Sequence, residues 1–353
     1  MLRKRLQSVT LADIVVWAIG LAIAAGVIYG TSVTLIAGKY NLATWLDLTV
    51  TGLALGGIYA LIALGYTLVY GILRMINFAH SEVFMSGPFV AVFLANGLVA
   101  IGFWDRYPFI SLLLVTLLAA AVSATIAYLL ERIAYRPLRG APRLVPLITA
   151  IGASFFLQYT FRGLFGSGLK GFPELGILQG VWMIGGVRIF RTQMVAIVGA
   201  LVMMLVLYGI VQWTKIGKAM RAVSEDKEVA ALMGVDVDQI ISMTFVLGGI
   251  SAGLAGILYV ILFPVVHFFM GFFPGLKAFT AAVLGGIGNV PGAFLGAMVL
   301  GLLESVGPSL FLDGLGIPAP YQLKDAIAFT ILVFILIFRP SGILGERLAQ
   351  AKA

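Results

Sequence analysis

Long runs of apolar residues alternate with short polar stretches along almost the whole chain. Runs long enough to cross, or nearly cross, about 30 Å of hydrocarbon lie at 12–37, 48–70, 83–101, 109–130, 144–165, 193–213, 240–262, 275–288, 292–310 and 324–338. This pattern predicts an all-α polytopic membrane protein with about ten transmembrane or re-entrant helices. The runs 275–288 and 324–338 are short, which leaves re-entrant segments as the alternative to full spans there.

The composition excludes a soluble globule. Of the 353 residues 61% are hydrophobic and 11% are charged, with a mean hydropathy of +1.07, whereas soluble domains are about 45–50% apolar and about 25% charged. There is no cysteine, so disulfides, thiolate chemistry and cysteine metal sites are excluded. Arg3-Lys4-Arg5 precede the first apolar run, but that run is long enough to span, so no cleavable signal peptide is expected.

The basic residues predict how the chain crosses the membrane. With ten spans both termini lie on one side, and an N-terminus inside assigns the larger share of the 23 Lys and Arg residues to cytoplasmic loops. The others, Lys277 among them, are placed at or near the outer face. The net charge of +8 is thereby explained by membrane orientation, and no nucleic-acid partner is expected.

Three short signals within and between the apolar runs predict local structure. In the outer loop 166–192, Val181 to Phe190 predicts two short strands about Gly185-Gly186, either packed on the bundle or offered to an extracytoplasmic partner. The stretch 288–292 predicts a tight cytoplasmic turn. Pro88 is expected to break or bend the third span after Gly87.

Few residues inside the apolar runs carry chemistry. No phosphate-binding G-x-x-x-x-G-K-[ST] loop and no H-E-x-x-H motif occurs in the sequence. Glu304 is the only acidic residue predicted to lie deep in a span, without an evident partner, and it either bonds to a neighbouring helix or lines a path. Glu82 is placed close to the inner face. Because no pair of catalytic groups can be named, an intramembrane enzyme is disfavoured.

The most polar stretch is the coupling loop 214–239, between two spans on the cytoplasmic side. Its predicted short helix begins at an N-cap Ser224 and ends at Gly234. Acidic Glu225, Asp226 and Glu228 suit its positive end, and Val229, Leu232 and Met233 share one apolar face. A helix of about nine residues is too short to be stable alone in water. It therefore docks, on the membrane surface or on a separate cytoplasmic subunit.

Five motifs, in order, resemble the permeases of branched-chain amino acid ABC importers of the LivH type. They are Gly56 to Gly71 with Ile76-Asn77-Phe78-Ala79-His80, Ala219 to Asp226, Gly275 to Phe279, Gly285 to Ala293, and Arg339 to Gly342. The resemblance covers residues 48–345. It implies a type II-like ABC importer permease bundle in the bacterial inner membrane, with both termini cytoplasmic. Ser81 stands where family members more usually have glycine.

The resemblance also implies partners and roles. The expected partners are a paralogous permease subunit, two cytoplasmic ATP-binding subunits, a periplasmic substrate-binding protein and the lipid bilayer. ATP and Mg would be bound by the ATPases, so this chain has no catalytic, metal or cofactor-binding residue. The segment Ser224–Gly234 corresponds to the coupling helix: Glu228-Val229-Ala230 with Gly234 is similar to the pattern E-A-A-x-x-x-G, from which Val229 departs. Asn77, His80 and Glu304 are candidates for the translocation path.

The predicted organisation has three parts and one competing function. Residues 1–47 form an extra N-terminal helix and outer loop, 48–345 the permease domain, and 346–353 a cytoplasmic tail. The expected function is transport of branched-chain or other hydrophobic amino acids by alternating access. The alternative is a channel or ABC permease for urea, short amides or another small neutral solute. The coupling loop distinguishes them, because a channel needs no docking helix.

Overall fold

The computed structural model describes residues 11–142, 144–339 and 341–345. The predicted tail 346–353 and the basic residues Arg3 to Arg5 lie outside these ranges. The α-helices are α1 Leu11–Ala37, α2 Leu42–Leu73, α3 His80–Ala100, α4 Phe103–Arg106, α5 Pro108–Leu130, α6 Leu144–Phe165, α7 Arg191–Trp213, α8 Lys215–Glu225, α9 Lys227–Leu232, α10 Val237–Leu262, α11 Phe272–Gly285, α12 Val290–Gly307 and α13 Lys324–Phe338. Four short strands are β1 Lys170–Gly171, β2 Val181–Ile184, β3 Val187–Phe190 and β4 Val265–Val266.

The prediction of an all-α polytopic membrane protein is confirmed. Within the described ranges, nine helical segments are long and apolar enough to cross a membrane. They include Pro320–Phe338, in which a 3₁₀ turn extends α13 to 19 residues. The other short run forms α11, which has 14 residues and therefore a length of about 21 Å. This helix is shorter than the hydrocarbon core is thick.

Helix α2 is the centre of the bundle. Its residues are buried almost without interruption from Gly52 to Leu73, and α7, α10, α11 and α12 pack around it. The contact with α12 is closest, because a Cβ added at Gly301 would collide with the backbone at Gly52 and Gly56. Small residues allow such an approach between membrane helices.

Gly301→Val is expected to prevent α12 from packing on α2, because the added atoms meet backbone that cannot move aside. Purified protein should show a lower yield of folded material and a lower unfolding temperature. Gly97→Val in α3 is the matched control, since a Cβ there meets nothing within 4 Å. Equal stability of the two variants would contradict this account of the helix contact.

Two helices begin inside the bundle rather than at its surface. The His80 ring, at the start of α3, lies against Gly65 of α2, and α2 continues from Tyr66 to Leu73, about 12 Å of helix. The start of α11 lies beside the start of α3, because a Cβ at Gly275 would collide with the Ser81 side chain. The chain between α10 and α11 therefore enters the bundle before α11 begins.

Of the two outcomes predicted at Pro88, a break does not occur, since α3 runs from His80 to Ala100; the bend stays a prediction. Proline removes one backbone donor and crowds the carbonyl four residues earlier, here that of Phe84. Gly256 of α10 lies against the Pro88 ring and the Phe84 carbonyl, at a place where any Cβ would clash. Packing against α10 holds the helix together at this point.

The outer loop contains the predicted hairpin. β2 and β3 pair antiparallel across Gly185-Gly186, so the two predicted strands are confirmed. β3 packs on α2: the Arg188 backbone N–H donates to Asp47 Oδ1 at 3.0 Å. All four residues of β2 are exposed. The hairpin therefore packs on the bundle through β3, whereas β2 is exposed.

A second strand pair joins two distant loops. β1, in the outer loop, pairs antiparallel with β4, in the segment that leads into α11. The Phe172 backbone N–H adds a hydrogen bond to the Pro264 carbonyl at 3.0 Å. These bonds fix the entry to α11 to the loop that follows α6.

The N-terminal helix α1 lies at the edge of the bundle. It packs on the π-helical turn Pro308–Leu312 after α12, where Gly30 allows backbone contact with Phe311. Trp17 meets the Phe338 ring of α13 edge-on at 5.2 Å. Most of its remaining surface is exposed, as expected for a helix that faces lipid.

Candidate functional site

The coupling loop 214–239 folds as two short helices, each with its own N-cap. The Thr214 hydroxyl accepts from the Gly217 N–H at 3.1 Å and begins α8. Asp226 Oδ1 accepts from the N–H groups of Glu228 and Val229 at 2.9 and 3.0 Å and begins α9. These side chains satisfy backbone donors that a helix start leaves free.

Two predictions about this loop need correction. Ser224 is not an N-cap: it lies in the last turn of α8, and its hydroxyl donates to the Arg221 carbonyl at 2.8 Å. The cap is Asp226, and Glu225 belongs to α8. The sequence analysis missed α8, because the stretch from Lys215 to Arg221 is largely polar. The buried face of this helix consists only of Gly217, Met220 and Val223. Gly234 has φ +85° and follows α9, as predicted.

The apolar face of α9 points away from the chain. Ala230 is 4% exposed and packs on the bundle, whereas Val229, Leu232 and Met233 are 54%, 86% and 80% exposed. We call these three residues the apolar patch. Among the described residues nothing covers it. A six-residue helix cannot persist by itself in water, so its position depends on Ala230 and the caps.

The loop is tied firmly to the bundle. The Arg221 guanidinium donates to the Val211 and Gln212 carbonyls at the end of α7. A groove of about 640 Å³ lies between the end of α2 and the α8–α9 junction, and its walls include Tyr70, Arg74 and Glu228. The apolar patch and this groove together form a surface attached to the ends of α2 and α7.

An ion cluster that the sequence analysis missed joins the loop after α5 to the start of α10. The carboxylate of Glu131, which is fully buried, pairs with Arg139 and Arg136. Both arginines also pair with Asp238, in the first turn of α10. The Ser242 hydroxyl donates to Glu131 Oε2 at 2.6 Å. Movement of the coupling loop is thereby linked to α5 and α10.

Glu304 has a partner, contrary to the sequence expectation. Lys277 Nζ lies 2.6 Å from Glu304 Oε1 and 2.7 Å from Asp325 Oδ1, and it donates to the Tyr59 hydroxyl at 3.4 Å. Lys277 is 4% exposed and lies inside the bundle. This cluster joins α2, α11, α12 and α13. Burial of the ammonium inside an apolar run was the missed signal.

The other two path candidates are Asn77, in the turn between α2 and α3, and His80, at the start of α3. They do not share the partners of Glu304. Asn77 Oδ1 accepts from the Tyr135 hydroxyl at 2.7 Å. The His80 ring packs edge-on against Tyr66, with centroids 5.0 Å apart. Both residues are 2% exposed. Their contacts are those of packed residues at the start of α3, and their place in a path stays a prediction.

Glu82 lies deeper than expected. It follows His80 in the first turn of α3, and its side chain is fully buried between α3 and α6. Its Oε1 accepts from Gln158 Nε2 at 2.7 Å and from the Ser154 hydroxyl at 3.1 Å. The Ser81 hydroxyl lies 3.2 Å from it and 2.9 Å from the Phe78 carbonyl. Glu82 is expected close to the inner face only if α3 begins at the membrane surface, where the apolar run meets the loop.

The fold and these sites define a class of polytopic membrane proteins with an exposed loop anchored on the ends of the helices. The family model described as "Branched-chain amino acid transport system / permease component" matches residues 48–336. The chain belongs to this family. No solved structure matches it.

Curated relatives span most of the chain. It is 43% identical over 309 residues, 86% of this chain and 96% of the relative, to the high-affinity branched-chain amino acid transport system permease protein BraD of Pseudomonas aeruginosa. The chain is 38% identical over 300 residues, which are 84% of this chain and 94% of the relative, to the high-affinity branched-chain amino acid transport system permease protein LivH of Escherichia coli K12. It is 26% identical over 293 residues, 81% and 88%, to a probable LivH of Methanocaldococcus jannaschii.

Proposed function

We propose that this chain is the membrane permease subunit of an ATP-driven importer for branched-chain or other hydrophobic amino acids. The names of the relatives BraD and LivH support the substrate class. The observation that carries the coupling role is the apolar patch, exposed on a helix whose opposite side, at Ala230, is buried. The chain itself is not an enzyme, and hydrolysis of ATP belongs to partner subunits.

The partners follow from the surfaces that the bundle presents. Two cytoplasmic ATP-binding subunits, which carry ATP and Mg, dock on the apolar patch and the neighbouring groove. A paralogous permease subunit forms the second half of the path. A periplasmic binding protein delivers the substrate, and the open strand β2 of the outer hairpin is the surface we assign to it. We propose that the protein lies in a bacterial inner membrane with both termini cytoplasmic.

Alternating access can use elements already present in the fold. The loop is capped at each helix, is bonded to the end of α7, and pairs through Asp238 with Arg139 in the segment after α5. A push on α9 is therefore passed on as a rigid movement. Helices α3 and α11 begin inside the bundle, as discontinuous helices do at transporter binding sites. Rotation of the docked loop would then change the access to the region where these two helices begin.

ATP-dependent uptake by the complete importer tests the proposal. The chain is reconstituted in vesicles with its companion permease, ATPases and binding protein, and labelled leucine, isoleucine, valine, urea and acetamide are compared. Uptake of the three amino acids should require ATP and binding protein. Uptake by the permease without ATPases, or uptake of urea or acetamide in place of the amino acids, would contradict the proposal and favour the channel or amide alternative.

A further inference from the structure

A small cavity lies between α6 and the inner ends of α3 and α11. Its volume is about 140 Å³, and it is half open, because Ile151 and Phe155 of its wall are 43% and 50% exposed. The wall is mostly apolar, with a small polar part. Its lining residues are Tyr66, Phe78, Ser81, Ile151, Ser154, Phe155, Gln158, Phe272 and Leu276.

The polar part of the wall is organised by Glu82, directly behind it. Ser154 and Gln158 donate to one oxygen of this carboxylate, while its Oε2 is buried and has no hydrogen-bond partner among the described residues. The Ser81 hydroxyl lies 3.2 Å from the same oxygen but closer, at 2.9 Å, to the Phe78 carbonyl. The position in the first turn of α3 favours the negative charge. An ionised carboxylate that is buried without a cation is costly, so a cation bound in the cavity would stabilise the ionised form of Glu82.

The direction of these hydrogen bonds decides what the cavity presents. An ionised carboxylate only accepts hydrogen bonds, so the donor groups of Ser154 and Gln158 are turned toward Glu82. The lone pairs of Ser154 Oγ, which also lies 3.5 Å from Gln158 Nε2, and the Gln158 carbonyl oxygen are then the acceptors left for a ligand. A cavity whose polar wall accepts hydrogen bonds, with a negative charge behind it, fits a group with several donors and a positive charge.

We propose that this cavity is a binding site for a primary ammonium group with an apolar substituent, and that Glu82 is its positioning residue. The ammonium donates to Ser154 Oγ and the Gln158 carbonyl oxygen, and Phe155, Phe272 and Leu276 surround the apolar substituent. The next step rests on the proposed function: in the importer, the site receives the amino group and side chain of a hydrophobic amino acid in transit.

Charge-selective labelling of an introduced cysteine tests the site without any transport. The chain has no cysteine, so Ile151→Cys in α6 places a single thiol on the cavity wall. Ile148→Cys on the same helix is the matched control, since Ile148 is 68% exposed and is not part of the lining. The assembled complex is labelled with an ethylammonium or an ethylsulfonate methanethiosulfonate, and modification of this chain is followed by mass spectrometry.

The preference for the cationic reagent should be about tenfold or more greater in Ile151→Cys than in Ile148→Cys, because a charge a few ångströms away acts through a medium of low dielectric constant. When Glu82→Gln is added to each variant, the preference of Ile151→Cys for the cationic reagent should fall to that of Ile148→Cys. Equal preferences in both variants, an unmodified thiol in Ile151→Cys, or a preference that Glu82→Gln leaves unchanged would overturn the proposal. Each outcome is independent of whether the importer carries amino acids.

A second variant keeps Glu82 and removes one acceptor. Ser154→Ala should lower leucine uptake per ATP hydrolysed severalfold in the reconstituted importer. Thr149→Ala, whose hydroxyl bonds to its own helix at Val145, should leave this ratio unchanged. A normal ratio for Ser154→Ala overturns the site, whereas a wild-type importer that moves no amino acid overturns the proposed function and leaves the labelling result standing.

Discussion

Leu232→Asp is expected to abolish ATP-driven uptake while the protein still folds and inserts. Leu232 is 86% exposed, so the change costs the isolated chain little, but it places a charge in the apolar contact that we propose with the ATPase. Loss of a central apolar anchor weakens a protein interface by about 2–4 kcal/mol, or about 30- to 1,000-fold in affinity. Co-purification of the ATPases and substrate-stimulated hydrolysis measure the effect.

The control is Leu232→Met, which keeps the size and apolar character of the side chain and should retain uptake. Ala230→Asp is a poorer test, although Ala230 belongs to the same helix. Ala230 is buried, so aspartate there would detach α9 from the bundle as well as from any partner. Unaltered ATPase binding and substrate-stimulated hydrolysis in Leu232→Asp would refute the docking role of the apolar patch.

Lys277→Met is expected to destabilise the bundle severely. It leaves the buried Glu304 carboxylate without its cation and facing Asp325, and removal of one member of a buried ion pair costs about 3–5 kcal/mol. The unfolding temperature of the purified protein should fall well below that of the wild type. Lys39→Met is the control, because the Lys39–Asp313 pair is largely exposed at the lysine and exposed pairs contribute about 0–1 kcal/mol.

The double variant Lys277→Met/Glu304→Leu separates the two roles open for Glu304. Apolar replacement of both buried partners is often neutral, so stability should largely return. Uptake that returns with it assigns the cluster to structure, whereas a stable variant without uptake places Glu304 in the path. A double variant no more stable than Lys277→Met would contradict the pairing of these two residues.

The positions of the spans could be predicted from the sequence because a helix needs about 20 apolar residues to cross the hydrocarbon. The depth at which α3 begins could not, because the polar interval between the runs 48–70 and 83–101 does not show that the chain turns inside the bundle. The cluster at Lys277 was missed for a related reason. Its partners Glu304 and Asp325 lie on other helices, Glu304 27 residues further along the chain, and an apolar run does not show which helices will meet.

The coupling loop was predicted better in composition than in geometry. Spacing placed Val229, Leu232 and Met233 on one face, and they do share it, but spacing does not tell whether that face meets the bundle or a partner. The cap was misplaced because Ser224 and Asp226 are both good N-caps. The choice depended on α8, whose few apolar positions gave no periodic signal.

The pairing of β1 with β4 connects the outer loop mechanically to helix α11 in the middle of the bundle. A protein that settles on the outer surface and pulls the loop after α6 also pulls the strand just ahead of α11. α11 carries Lys277 and lines the cavity behind Ser81. A binding protein that docks on the outer surface could therefore displace the Lys277 cluster and the cavity through the two residues of β4, before any nucleotide is hydrolysed.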